Sequence, residues 1–569
     1  MKKLFVLVLA LLLSISVFAE GISREEALQY ARRFFSDTPK AALDIVWEGD
    51  HADNPAFYVI NREGGGFLIL SGEMAVNPLL GYSYTGTFRT QGMPVHMKDW
   101  FGGLERDINH VREMKSVPKE KVLREWEALG VRTKAGGTEH VIESAQWDQG
   151  APYNKYCPTG SNGHKCVTGC VATAMAIVLR HNMYPAHGYG ELRTYTTSSQ
   201  KIYVEGYSIE DHEYKWDMMP LTGVSRASTE CQEQIAQLMY DCGVMIQMDY
   251  SPSGSGAVSM YMPSVIAEHM AYSPETLLYR KSMYKNKEWL ELIKSELDQD
   301  RLVFYSAQDA SGKGGHAFVI DGYDDSGLLR VNWGWSGHGN AFYNLDLEVD
   351  GYRFSNDQGA VLGLIPDPDR SGKSISFLAI TGKGVSLASG KIEEGKTFSL
   401  DVRSITNYGN GEYSGPIVAV LTDENDVIKE QISDPKNITV GALSNGDVSI
   451  SNCSLKSTPN FKDRVAVAVR NSAGAYEVLR RDVEAESVGS LATIPNFIAG
   501  KSAYSTGETY KFALFKSGEP FRSVTWYFDG QKIPEDEDSV VLSAGTHVVK
   551  AILTKTNGTE TLVKEIIVN

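Results

Sequence analysis

Apolar positions recur at helical spacing near the start of the chain. Ser23-Arg24-Glu25-Glu26 is a capping box, in which a Ser hydroxyl and a Glu carboxylate satisfy each other's backbone donors. Ala27, Tyr30, Ala31, Phe34 and Phe35 continue that pattern as a helix. AFYVIN, a REGGG turn and FLILSG read as a β-hairpin, GYSYTGTF as a further strand, and MKDWFGGLERDINHVREM as a return to helix. Together they predict a small α+β unit.

The next stretch, KSVPKEKVLREWEALGVRTKAGGTEH, is rich in Lys, Arg and Glu and ends in a Gly-bearing run. Its composition predicts an exposed linker, either passive or open to proteolytic nicking. From about Ile142 to Ile365, aromatics and glycines become dense. Helices such as CQEQIAQLMYDC and NKEWLELIKSELDQD alternate with irregular stretches, and HAFVIDGYDDSGLLRVNWGW reads as strand, turn, strand. PDPDRSGK is a linker by composition. Beyond it the helical period fades. TFSLDVRS, GPIVAVLT, DRVAVAVRN, YKFALF, SVTWYFDGQKI and THVVKAILT predict two small β-sandwich modules, split near AESVGSLATIP.

Charge narrows the partners. A net charge of −16 argues against nucleic acid or an anionic membrane surface as the main partner. MKKLFVLVLALLLSISVFA has two lysines, an apolar run and small residues at Val17 and Ala19, so it predicts an export signal cut before Glu20. Its apolar core is short for a membrane span, and no later segment has a membrane-length apolar run. The expected location is outside the cytoplasm: secreted, periplasmic or at the cell surface. Six cysteines in 569 residues are too few for a disulfide scaffold. Cys231 and Cys242, about a helix apart, cannot bridge each other.

Cys170, in CVTGCVATAMAIVLRHNMYP, has the most distinctive surroundings. Gly169 permits close backbone approach, and the alanines and aliphatics that follow predict a buried helix. Thr168 is a candidate cap. Cys170 would then lie in the first turn, where free N–H groups and the helix dipole favour a thiolate. A reactive thiolate needs an imidazole partner. Among twelve histidines, His316 in KGGHAFVIDGYDD stands out, because glycines precede it and an apolar strand follows. Asn332 either orients that imidazole or bonds a neighbouring loop. Trp333 either shields the contact or belongs to the core. Gln149, in WDQGAPYN, is a candidate oxyanion donor.

The order Gln, Cys at a helix start, Gly-His and Asn-Trp-Gly resembles that of the papain-like cysteine peptidases. TGCVATAMA with HNMYP, GGHAFVIDGY, VNWGW, WDQGAPYN, QMDYSPSGSGA, GGGFLILSGE and LLGYSYTGTF resemble, more closely, the streptopain family of secreted bacterial peptidases. The likeness spans roughly residues 20–365. It implies Cys170 as nucleophile, His316 as base, Gln149 as oxyanion donor, and Trp333 and Asn332 beside the imidazole. Ser253, Gly254 and Ser255 of the loop 251–256, with Gly315, would line the substrate cleft. It also implies a zymogen and a preference for an apolar residue two positions before the scissile bond. Cys157 and Cys166 depart from the family pattern and are candidates to pair with each other.

The expected architecture is α+β. A signal (1–19), an inhibitory prodomain (20–116) and an activation linker (117–141) precede a papain-like catalytic domain (142–366). Two immunoglobulin-like β-sandwich modules (374–485 and 490–569) follow. The expected partners are protein or peptide substrates and the chain's own prodomain. The β modules are candidates for cell-surface or carbohydrate contact. The chemistry needs no cofactor and no metal, and the spacing of Cys157, His164, Cys166 and Cys170 matches no familiar zinc site. Two rival readings stay open: an adhesin on an inactive peptidase scaffold, and another Cys-His acyl-transfer enzyme such as a transglutaminase or cell-wall amidase.

Overall fold

The computed structural model describes residues 21–569 apart from 50–53, 94, 130–138, 309–314, 346–347, 350–351, 354–355, 393–394, 458, 460–462, 472, 482–496, 499–500, 502, 516–521, 535–536 and 556–557. The signal, residues 130–138 of the expected activation linker, Lys313 and Gly314 ahead of His316, and the expected split between the β modules lie outside the described residues. The chain divides into two compact units at Gly372.

The first unit opens with α1 (Arg24–Phe34). Its capping box is complete: Ser23 N–H donates to the Glu26 carboxylate at 2.9 Å, and Glu26 N–H donates to Ser23 Oγ at 3.3 Å. The antiparallel strands β1 (Leu43–Glu48), β2 (Phe57–Arg62), β3 (Phe67–Ser71) and β4 (Leu79–Ser83) follow in order. Side chains alternate across a strand, so Tyr58 and Ile60 of β2 join α1's Ala27, Ala31 and Phe34 in one core. Phe57 takes the opposite face, with Trp47 and with Phe101 of α2 (Val95–Glu113). Arg112 of α2 fastens the loop ends. Its guanidinium donates to the carbonyls of Asn54, Pro55 and Gly72, each at 2.9 Å, and to the buried Glu73 carboxylate at 3.2 Å.

The stretch expected as an exposed linker begins instead with a packed helix, α3 (Glu120–Ala128). Val122, Trp126 and Leu129 recur at helical spacing and are buried in the α1 core. The Trp126 indole donates to Val76 O at 3.0 Å and meets Tyr30 edge-on at 4.8 Å. Charged residues fill only the outward face, and composition alone hid the apolar one.

The rest of this unit comprises β5 (Glu139–Val141), α4 (Cys170–Asn182), β6 (Tyr195–Thr196), β7 (Tyr203–Val204), α5 (Thr229–Met245), α6 (Met262–Met270), β8 (Leu277–Arg280), α7 (Asn286–Leu297), β9 (Val303–Gln308), β10 (Gly315–Asp324), β11 (Leu329–Asn332), β12 (Ala341–Tyr343) and β13 (Asn356–Leu362). The main sheet has eleven strands among the described residues. They run β1-β2-β3-β4-β12-β11-β10-β9-β13-β8, with β5 on β10. The N-terminal strands therefore extend the sheet of the second subdomain through one pairing, Tyr82 opposite Phe342 and Gly81 opposite Tyr343. Gly81 permits that approach, because a Cβ there would meet Tyr343 Cδ1 at 2.9 Å and Phe342 O at 3.0 Å. Phe342 and Leu328 join the α1 core across this seam. Helix α4 is apolar nearly all round, as a fully enclosed helix must be, and it packs on β10, β9 and α5.

The second unit is β-rich. Strands Leu378–Gly390, Thr397–Asn407 and Asn445–Ser454 form one sheet, and Tyr413–Thr422 and Arg464–Arg470 belong to another. Leu400, Val402 and Ile450 from the first sheet meet Ile417, Leu421 and Val467 from the second in a common core. Further along, Ser523–Phe528, Gly545–Lys555 and Gly558–Val568 form a sheet with its own core around Tyr510, Val549, Leu553 and Ile566.

Candidate active site

Cys170 is the first residue of α4, as the apolar pattern predicts. The cap differs from expectation. Gly169 holds the N-cap position at φ 89°, with no side-chain cap bond. Thr168 instead bonds Thr173 Oγ1 at 2.8 Å through its hydroxyl. Glycine is required at 169 on two counts. The backbone is left-handed, and a Cβ would strike Met248 Sδ at 2.6 Å.

The thiol faces β10. The amide N–H of Ala317, the residue after His316, donates to it, as does that of Val171 at the helix start. The expectation of a depressed thiol pKa fails in this form. Burial pushes the Cys170 thiol above its ordinary value, and the nearby backbone N–H groups oppose that rise without cancelling it.

His316 pairs with Ala307 of β9 through its backbone. Its Nε2 lies 3.5 Å from Asp99 Oδ2, on α2 of the N-terminal subdomain. The next residue on that helix, Trp100, packs at 5.8 Å from Trp333 and at 5.0 Å from Tyr343. Met97 lies against Gly339. Helix α2 thus covers the imidazole and its tryptophan together. Asp99 and Trp100 escaped the sequence reading. Their one signal is a charged residue beside two aromatics in MKDWFGG, which composition does not separate from an ordinary amphipathic helix.

Trp333 is buried among Phe318, Tyr343 and Trp100. Gly334 brings its segment onto α4, since a Cβ there would meet Thr173 Cγ2 at 3.0 Å. Asn332 spends its amide on the wall beneath: Nδ2 donates to Ser144 Oγ at 2.8 Å and to Ala145 O at 2.9 Å, and Oδ1 accepts Gly334 N–H. Of its two readings, bonding a neighbouring loop is the one this form displays. Ser144 also donates to Asp321, a fully buried carboxylate on β10 that accepts from Arg330 at 2.6 Å.

Gln149 reaches the start of α4 through the backbone. Thr168 N–H donates to Gln149 O at 3.1 Å, which sets Gln149 beside the start of α4. The loop 251–256 abuts the same point, with Val167 N–H donating to Ser251 O at 3.3 Å. Within it, Ser253 and Gly254 are exposed and Ser255 is not. Ser255 Oγ donates to Val167 O at 2.7 Å and accepts Ser251 N–H at 2.9 Å, so its hydroxyl anchors the loop instead of facing a cleft. Gly315 is exposed, and a Cβ there would meet nothing closer than 3.6 Å, so the fold does not demand glycine at that position.

A thiol at a buried helix start, a strand carrying an imidazole beside it, and an N-terminal subdomain laid over that imidazole define a cysteine-type peptidase with a covering prodomain. Comparison with known proteins agrees. The Peptidase C10 family matches residues 147–343, and a Spi protease inhibitor family matches residues 19–108. The chain is 31% identical over 348 residues to streptopain of Streptococcus pyogenes, covering 57% of this chain and 84% of that protein. It is 29% identical over 478 residues to the thiol protease/hemagglutinin PrtT of Porphyromonas gingivalis, covering 77% of this chain and about half (54%) of that relative. A prointerpain A fragment from Prevotella intermedia superposes with a TM-score of 0.47 at 26% identity, over 58% of this chain and 100% of the fragment. The chain belongs to the Peptidase C10 family.

Proposed function

We propose that this chain is an exported cysteine endopeptidase made as a zymogen, with a preference for an apolar side chain two positions before the scissile bond. One observation carries the reading: Cys170 accepts the N–H of Ala317 while Asp99 of the covering helix holds the adjacent His316. With α2 gone, the imidazole is free to turn to the thiol. The thiolate attacks a peptide carbonyl, and Gln149 with the Cys170 N–H receives the oxyanion. His316 protonates the leaving amine and then activates water. Trp333 keeps water from the pair, and Asn332 fixes the segment carrying Trp333. The exposed rim at Ser253, Gly254 and Gly315 receives the extended substrate.

The activating cut falls between α3 and β5. Helix α3 belongs to the prodomain core, whereas β5 pairs with β10 of the peptidase sheet. A break between them parts the two without dismantling either. The β modules, of immunoglobulin-like topology, hold the enzyme at a cell surface or a carbohydrate.

The test uses the full chain, activated by limited processing, on casein and a peptide library. Cys170→Ala abolishes hydrolysis, and Gln149→Ala gives a folded enzyme with kcat lower by on the order of 10²–10³. Undiminished hydrolysis by Cys170→Ala overturns the reading, and wild-type turnover by Gln149→Ala removes that residue from the oxyanion site.

A further inference from the structure

We propose that Cys157 and Cys166 form a disulfide in the exported protein, closing the hairpin that leads into the nucleophile helix and leaving Cys170 the free thiol of that stretch. Thr159 and Lys165 bridge antiparallel. Gly160 N–H donates to His164 O at 2.9 Å, and Cys166 N–H donates to Pro158 O at 3.0 Å. That register sets Cys166 opposite Pro158. Hydrogen-bonded opposed residues stand about 5.5 Å apart at Cα, within the span a disulfide bridges, and Cys157 is one residue away.

A regular ladder would send residues 157 and 158 to opposite faces. Cys157 instead sits in a bend, its N–H donating to Asn154 O at 3.1 Å. The Asn154 side chain donates to Cys166 O at 2.9 Å, so one residue ties both cysteine backbones. Both side chains finish almost fully buried, though unpaired in this structure. They lie close enough that a thiolate at Cys166 disfavours one at Cys157.

The hairpin is wedged into the site. A Cβ on Gly160 would lie 2.5 Å from Pro252 Cγ of the cleft loop. Just past Cys166, Val167 and Thr168 hold Ser251 and Gln149 by backbone bonds. A link at 157–166 therefore fixes the approach to Cys170. It also removes Cys166, the sulfur nearest Cys170 in sequence, from competition for it. This matters to a thiol enzyme working in an oxidising compartment.

The oxidant is a small disulfide such as oxidised glutathione. One cysteine thiolate attacks it, releases one glutathione thiolate and forms a mixed disulfide. The second cysteine thiolate attacks the protein sulfur of that bond and releases the other glutathione. Two electrons pass to glutathione, and two protons leave the cysteines. Burial pushes Cys157 up to about 12 and raises Cys166 as well, so exchange runs before the hairpin closes, while both thiols still ionise.

The test is a non-reducing peptide map of the unmutated full chain after refolding in a glutathione couple, with free thiols alkylated under denaturing conditions. The expected result is one peptide pair joined through Cys157 and Cys166, separable by reductant, with Cys170 alkylated. Recovery of Cys157 and Cys166 both alkylated, or of Cys166 joined to Cys170, overturns the proposal. In the processed Cys157→Ser variant, oxidised glutathione should remove most epoxide labelling of Cys170, and reductant should restore it. Equal labelling in both buffers would count against the protective role.

Discussion

Asp99 and His316 stand 3.5 Å apart across the seam between prodomain and peptidase, and the neighbouring Trp100 packs on Trp333. Consecutive residues of one prodomain helix thus meet His316 of β10 with a polar contact and Trp333, just past β11, with an aromatic one. Sheet continuation through β4 and β12 supplies the broader attachment. The N-terminal subdomain is thus attached by an ordinary strand pairing plus a short helical contact.

With the imidazole charged, this partly exposed contact is worth about 1 kcal/mol at most. Asp99→Ala should therefore raise the rate at which an epoxide labels Cys170 in the uncut chain by up to roughly fivefold. The labelling rate of unprocessed protein is the measurement. An unchanged rate would shift the latch to Trp100 and the strand pairing.

The prodomain helix also carries a buried acid. Burial raises Asp107 to about 7, against a weaker opposing pull from Arg106. Folding thus favours the protonated carboxyl. That contribution is complete below the unfolded value near 4 and is lost as pH climbs from there to about 7, for a total on the order of a few kcal/mol. Uncut protein carrying Cys170→Ala should lose thermal stability in its first unit across that window. Asp107→Asn should flatten the slope and stabilise the neutral-pH form. A parallel slope in the variant would locate the effect elsewhere.

The place of Cys170 at a helix start was legible in sequence because helix burial and glycine punctuation are local signals. Cys170 begins its helix where the apolar run begins, and His316 opens its strand after the glycines. What sequence misplaced depends on who covers whom. The thiol of Cys170 was expected low from its helix position, but enclosure outweighs the N–H donors. Helix α3 passed for a linker because its three buried residues sit among charges, and only the α1 core reveals their use. Ser255 is cleft lining only by the resemblance of its loop, and its hydroxyl turns inward to Val167. Asp99 gives no local sign of its partner, since that partner is brought by the strand pairing of β4 with β12.

Asp241, fully buried on α5, gathers donors from α5 itself and from the connection between β7 and α5. Tyr207 Oη and Tyr214 Oη each donate at 2.8 Å, Gln237 Nε2 donates at 2.8 Å, and His212 Nδ1 lies at 3.0 Å. Its hydrogen bond to Asp241 raises the His212 pKa above the ordinary value, against the opposing effect of burial. A raised folded pKa means that the charged imidazole stabilises the fold fully below about 6.5, and that this help fades as pH climbs through the folded value. Amide exchange in residues 205–214 should therefore quicken as pH rises above about 6.5, beyond the intrinsic base-catalysed increase. His212→Gln should remove that excess and leave the fold intact. Asp241→Ala should do far more damage, because it leaves several buried donors unsatisfied, at about 1–3 kcal/mol each. Such a variant should lose the first unit's cooperative unfolding transition or shift it well down, while the C-terminal unit melts as before. Wild-type exchange and melting in Asp241→Ala would show that water, not the carboxylate, satisfies those groups.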